Sequence, residues 1–347
     1  MANSLRIAVD AMGGDFGPRV IVPALVKSLR KHPGVSALVL GEQRTLDKAL
    51  KDCSAADVLS RIQTCYSNSV IGDDDSASTI IRSRQDSSMG LALKAVADGD
   101  AHACISAGHT GALMALALVI LKTLPGISRP AICATFPTRE GRSYILDLGA
   151  NLDCSPAQLS QFAVLGSLVT RELEGISKPR VCLLNVGEEA SKGNSVIKKT
   201  AGLLEAEPLV NYCGYVEGDG LFQGHAQVVV CDGFSGNVAL KASEGVARMV
   251  NGMFSDLFRS SWLNRLAALL LGTSMNALKS RLDPAVYNGA YLLGLNGVTV
   301  KSHGGADKIA FAHALDVAID AAKHNLPEVL SPILQSKIDN NQIAETN

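Results

Sequence analysis

The sequence predicts an α/β fold of the three-layer, Rossmann-like kind, built on a mainly parallel sheet. Short aliphatic runs alternate with segments of helical period, the arrangement expected of βα units. Several runs are unbroken and rich in β-branched residues, as strands covered on both faces must be. Turns rich in Gly, Asn and Asp repeatedly join the end of a run to the start of a helical segment.

Taken in order, the expected strands are Leu5–Asp10, Val35–Gly41, Ala103–Ser106, Ala131–Phe136, Tyr144–Leu148, Val181–Val186, Gln227–Asp232 and Gly297–Lys301. Pro18 opens a first helix, and Ser155-Pro156 reads as an N-cap followed by proline at the first helical position. No repeat and no composition shift divides the chain, so one α/β domain over residues 1–347 is expected, with a helical protrusion at about 250–282. The protrusion is read from Val250, Met253, Phe254, Leu257, Phe258, Trp262, Leu266, Leu269 and Leu270, apolar residues at three- and four-residue steps. Such a stripe packs on the domain core, pairs with a second copy, lies in a membrane interface or lines an acyl-chain groove. Phe254, Leu257, Phe258, Trp262 and Leu266 are its candidate membrane or acyl-chain contacts.

Composition narrows the function classes. Of 347 residues, 47% are hydrophobic and 19% charged, enough to build a sizeable core and too apolar for general disorder. Lys and Arg (32) nearly balance Asp and Glu (33), so bulk charge points to no nucleic-acid partner. The opening residues carry no leader pattern, and the apolar stretch Ala112–Leu121 is well short of the ~20 residues that span a bilayer. The eight cysteines are scattered without a C-x-x-C pair, and most sit in apolar runs as buried free thiols would. A cytoplasmic protein is expected.

Six loops at strand ends carry the candidate chemistry. Asp10-Ala-Met-Gly-Gly-Asp15 joins the first strand to the Pro18 helix; Gly13 and Gly14 permit a tight turn whose N–H groups attract anions, and Asp10 and Asp15 orient other groups. Ser106-Ala-Gly-His-Thr-Gly111 leads into an apolar helix, with Ser106, Gly108 and Thr110 as binding candidates. There His109 either donates to an oxyanion or merely caps the helix. Asp147-Leu-Gly-Ala-Asn151 offers Asn151 as a donor. Asn185-Val-Gly-Glu-Glu-Ala-Ser-Lys-Gly-Asn194 offers Asn185 and Lys192, whose ammonium either reaches a phosphate or stays solvated. Asp232-Gly-Phe-Ser-Gly-Asn237 adds Asn237, and Ser302-His-Gly-Gly-Ala-Asp307 adds His303 as a general-acid candidate. In an open α/β sheet all six loops are expected to gather outside the carboxyl ends of the strands.

Other patterns lead nowhere. Gly218-Asp-Gly220 with Gly224 misses the dinucleotide spacing, and no G-x-S-x-G elbow exists. Asp73-Asp74-Asp75 suits a helix start, and the histidines lack metal-ligand spacing, so neither metal nor cofactor is expected. Cys154, near a helix N-terminus, is the minor candidate for a thiolate nucleophile.

In this order the loops resemble the bacterial phosphate acyltransferase family, which uses acyl carrier protein thioesters and begins membrane phospholipid synthesis. The resemblance rests on VDAMGGDFGP (9–18), SAGHTGALMA (106–115), LDLGANLDC (146–154), LLNVGEEASKGN (183–194), CDGFSGNVALK (231–241) and GLNGVTVKSHGGAD (294–307). It departs at His109, where the family usually has Asn. The resemblance implies a fold related to the phosphotransacetylase and isocitrate dehydrogenase group, a homodimer and peripheral attachment to the inner face of the cell membrane. It further implies delivery of the product to a membrane glycerol-phosphate acyltransferase. Inorganic phosphate and acyl carrier protein are then the partners, and the acidic carrier would meet a basic surface from among Lys198, Lys199, Arg248, Arg259, Arg265, Lys279 and Arg281. The readings still open beside it are a short-chain phosphotransacetylase using coenzyme A, a non-catalytic membrane scaffold that binds carrier protein, and a nicotinamide-dependent dehydrogenase.

Overall fold

A computed structural model describes residues 5–72, 75, 77–264, 272 and 284–346. The described residues form one sheet of eleven strands, in the order β3-β2-β1-β4-β11-β10-β5-β6-β9-β7-β8. The strands are β1 (Leu5–Asp10), β2 (Val35–Gly41), β3 (Ile62–Tyr66), β4 (Ala103–Ser106), β5 (Ala131–Thr138), β6 (Gly141–Leu146), β7 (Arg180–Leu184), β8 (Asn211–Val216), β9 (Val228–Val230), β10 (Ala290–Leu293) and β11 (Val298–Lys301). All eight expected strands are present. The three that sequence reading missed, β3, β8 and β10, are two sheet edges and one four-residue strand. An edge strand need not carry a long apolar run; β3 reads Ile-Gln-Thr-Cys-Tyr and β8 is broken by Gly214.

Helices cover both faces. On one face lie α1 (Pro18–Lys31), α2 (Gln43–Asp52), α6 (Pro156–Glu174), α7 (Ser195–Glu205), α9 (Lys308–His324) and α10 (Leu326–Thr346). Their apolar sides close a core with Ile7, Val9, Tyr144, Phe162 and Phe311. The other face carries α3 (Ala77–Ser83), α4 (Ser88–Ala97), α5 (Thr110–Ile120) and the start of α8 (Gly233–Arg259), over a second core that includes Leu40, Cys104, Ile145 and Val229. Ser155 caps α6 with a reciprocal capping box, and Gly175 ends it in the left-handed conformation.

Strand direction decides where the loops go. β1, β2, β3, β4 and β11 are mutually parallel, but β10 and β5 are each antiparallel to their neighbours, so β6, β9, β7 and β8 point the opposite way. The sheet therefore has two parallel halves of opposite sense. The six loops do not gather at one edge, as expected; three emerge at one edge and three at the other.

α8 connects the two edges and then leaves the body of the protein. Gly233 and Gly236 are buried at its start, and a Cβ on Gly236 would lie 1.9 Å from the Asp147 carbonyl oxygen. Further along, Val246, Met249, Met253 (65% exposed) and Leu257 (54% exposed) form an apolar stripe open to solvent, followed by Trp262 at 73%. Phe254 and Phe258 are only half-exposed, so the open stripe runs beside them. Leu266, Arg265, Lys279, Arg281, Asp73 and Asp74 lie outside the described residues.

Candidate active site

At the first edge, register lines up three side chains. Asp10 pairs with Ser106 across β1 and β4, and Ser106 pairs with Lys301 across β4 and β11. Residues in one register row point to one face, here the face on which α8 lies. The Ser106 hydroxyl donates to the Asp10 carboxylate at 2.6 Å and accepts the Gly108 N–H at 3.0 Å. Asp10 also takes the Met12 N–H at 3.2 Å. Burial pushes the Asp10 carboxyl above its ordinary range, and these hydrogen bonds partly oppose the shift. Asp10 is thus a buried post that fixes two loops.

The glycines let those loops touch. A Cβ on Gly13 would fall 2.6 Å from the Gly108 nitrogen, and one on Gly14 would fall 2.7 Å from the Gly304 carbonyl oxygen. The Asp15 N–H donates to that same carbonyl at 3.0 Å. Three loops from three adjacent strands, 10–17, 106–110 and 302–307, are packed backbone to backbone. Asn288, which sequence reading did not single out, ties the last of them: it donates to the Ser302 hydroxyl at 2.8 Å and accepts the His303 N–H at 2.9 Å.

Two histidines stand at the rim. His109 caps α5 through Nδ1, which accepts the Ala112 N–H at 3.4 Å. In the neutral ring this leaves the proton on Nε2, a donor facing away from the helix. Thr110 is the first residue of α5 and half-buried. His303 accepts the Gly305 N–H at Nδ1 at 3.0 Å, and its Nε2 lies 3.3 Å from the Lys241 ammonium. Burial first, then Lys241, lowers its pKa. So placed, its protonated form is disfavoured relative to a free imidazole, which weakens the general-acid role expected for it.

The second edge is built differently. The buried Asp147 carboxylate accepts the Ile132, Ala150 and Asn151 N–H groups at 2.8, 3.1 and 2.6 Å, and burial raises its pKa. Asn151, expected to donate to a ligand, directs its two amide hydrogens to Pro130 O and Asp147 Oδ2 at 2.9 and 3.0 Å. It braces the turn. Asn185 likewise donates to Gly187 O at 3.0 Å within its own loop. Asn237 packs beside Gly149, one turn of α8 before Lys241. Lys192 is exposed. It lies in the loop after β7, seven strand positions from β1 and in the half of the sheet that points the opposite way. Strand order thus sets the loop that carries Lys192 in the other half of the sheet from the loop that carries Gly13 and Gly14.

All eight cysteines are free thiols. Burial above all raises the Cys154 pKa to about 11, so it is no ready nucleophile. A cavity of about 730 Å³ opens between α1, α2 and the start of α9, lined by Arg19, Arg30, Arg44, Lys48 and Lys308 together with Glu42 and Asp52. It adjoins the first edge without containing the Asp10–Ser106–Lys301 row. No described helix is long and apolar enough to cross a membrane.

Comparisons with known proteins agree with this architecture. Residues 5–329 match the family model described as "Fatty acid synthesis protein". A phosphate acyltransferase of Alcanivorax borkumensis is 48% identical over 330 residues, covering 95% of this chain and 97% of the relative. That of Pseudomonas savastanoi pv. phaseolicola is 48% identical over 336 residues, covering 97% and 98%. Among solved structures, a phosphotransacetylase from Streptococcus pyogenes superposes with a TM-score of 0.61 at 18% identity, covering 93% of this chain and 95% of that one. A branched-chain phosphotransacylase from Enterococcus faecalis gives 0.58 at 15% identity, covering 92% and 99%, a likeness of fold alone. All six loops fall inside the matched span, and the chain belongs to the phosphate acyltransferase family of fatty acid synthesis proteins.

Proposed function

We propose that this chain transfers a fatty acyl group from an acyl carrier protein thioester to inorganic phosphate, releasing acyl phosphate for phospholipid synthesis. The carrying observation is 48% identity to a phosphate acyltransferase over 95% of the chain, with every candidate loop inside the family-model match over 5–329. The site suits the chemistry. A phosphate oxygen attacks the thioester carbonyl, the C–O bond forms, and collapse of the tetrahedral intermediate breaks C–S and releases the pantetheine thiolate. A thiol of pKa ~8.5 leaves readily, so neither a covalent enzyme intermediate nor a strong acid is needed. What remains is positioning and oxyanion stabilisation. In this reading Nε2–H of His109, in place of the family's usual amide, donates to the developing oxyanion. Ser106, Gly108, Gly13 and Gly14 shape the pocket beside it.

The open apolar stripe of α8 is the surface for a second copy of the chain, with the Trp262 end at a lipid surface. The cationic groove of Arg19, Arg44, Lys48 and Lys308 is the docking face for the acidic carrier protein. Thiol release from a long-chain acyl carrier protein thioester, measured with and without phosphate and with hydroxylamine trapping, tests the reaction. Release that is independent of phosphate refutes it. Activity confined to acetyl-coenzyme A would transfer the chain to short-chain phosphotransacetylase chemistry.

A further inference from the structure

We infer that Lys301 and Lys241 form a two-ammonium cradle that holds the attacking phosphate as its dianion. The name of the ligand rests on the acyl-transfer reading; the chemistry of the cradle selects a small doubly charged oxyanion.

Lys301 ends β11 in the same register row as Ser106 and Asp10, and is half-buried beneath the loops. Its ammonium reaches two main-chain carbonyls, Ala107 O at 3.5 Å and Ser302 O. Among the described residues it forms no ion pair with a carboxylate. An ammonium taken largely out of water without a counter-ion is expensive. Instead, a second cation approaches: Lys241 descends from α8 with Nζ 3.3 Å from His303 Nε2 and 3.1 Å from Glu244 Oε2.

The surrounding charges leave a place for an anion. From the first loop, Asp10 turns its carboxylate to the Ser106 hydroxyl and the Met12 N–H, and Asp15 stands against Gly304 and Gly305. From the third loop, His303 stands beside Lys241, and burial with that ammonium disfavours its protonated form. The loop between β4 and α5 contributes the Ala107 carbonyl. Burial and then Lys241 bring the Lys301 pKa down to about 8, with Asp10 and Asp15 opposing the shift. A dianion between the two lysines removes their repulsion and keeps Lys301 protonated, so above pH 8 phosphate must bind together with a proton.

The test is calorimetric titration of inorganic phosphate into the full chain at pH 8.5, in buffers of different ionisation enthalpy. Wild type is expected to take up part of a proton, at most about one, per phosphate, with affinity falling as pH rises through 8. Lys301→Arg keeps a cation that does not titrate in this range, so it should bind phosphate without proton uptake. Lys301→Met should weaken binding about tenfold or more. Lys241→Met, at an exposed position, should weaken binding and move the pH inflection upward, since a like charge has gone. A purely structural Lys301 would show none of these shifts. Wild-type affinity and unchanged proton uptake in Lys301→Arg and Lys241→Met would overturn the inference. Phosphate binding that depends on both lysines in a protein without acyl transfer would sustain the cradle and refute the reaction instead.

Discussion

Removing the Asp10 carboxylate should weaken the protein in a way that depends on pH. In Asp10→Ala the Ser106 hydroxyl and the Met12 N–H lose their acceptor in a site where Asp10 is 1% exposed. A buried donor left unsatisfied costs about 1–3 kcal/mol, so two give roughly 2–6 kcal/mol. Relief from desolvating a carboxylate offsets part of that loss. Because burial raises the folded-state pKa of Asp10, the protonated form is the one the fold favours. Its contribution is full below the unfolded-state pKa of ~3.9 and declines as pH rises through the higher folded value. The stability gap between wild type and Asp10→Ala is therefore widest at mildly acid pH and narrows toward pH 8. Urea denaturation of both proteins across pH 4.5–8, compared at equal denaturant slope, measures the gap. A gap that does not change with pH, or that widens toward pH 8, refutes the reasoning.

Four further outcomes follow from the geometry. Phe311→Ala, which empties a fully buried position in α9, should lose about 3–5 kcal/mol in chemical denaturation. Cys154→Ala should retain acyl transfer, because the thiol pKa of about 11 leaves it protonated at working pH; loss of a burst-phase acyl-enzyme in the variant would contradict this. Lys192→Ala should leave the phosphate KM unchanged, and a large rise would bring the second edge back into the phosphate site. Arg44→Glu combined with Lys48→Glu should raise the KM for acylated carrier protein severalfold at low salt while sparing the phosphate KM.

Glycine-rich turns after aliphatic runs are local features, and they located the loops correctly. The roles inside the loops were harder to read. Asn151 looks like any other donor in sequence, yet its amide is committed to Asp147 and Pro130, twenty-one residues away in the case of Pro130. His303 looks like an acid until Lys241, sixty-two residues away, is set against its ring. In sequence, Lys301 is only the last residue of a strand. The available signal was the alternation of Thr299, Lys301 and His303, which puts all three on one side of the chain as it enters the loop.

The sequence by itself determined the α/β class, eight of the eleven strands, the six loops and the family, because periodicity and turn chemistry are written over short stretches of chain. Only the tertiary structure decided that the sheet consists of two halves of opposite sense. That reversal takes three antiparallel pairings: β5–β6 and β10–β11 are hairpins of consecutive strands, but β10–β5 joins strands remote in sequence, and no local pattern encodes that pairing. The same long-range pairing separates Lys192 from the first edge and brings Lys241 to Lys301 and His303.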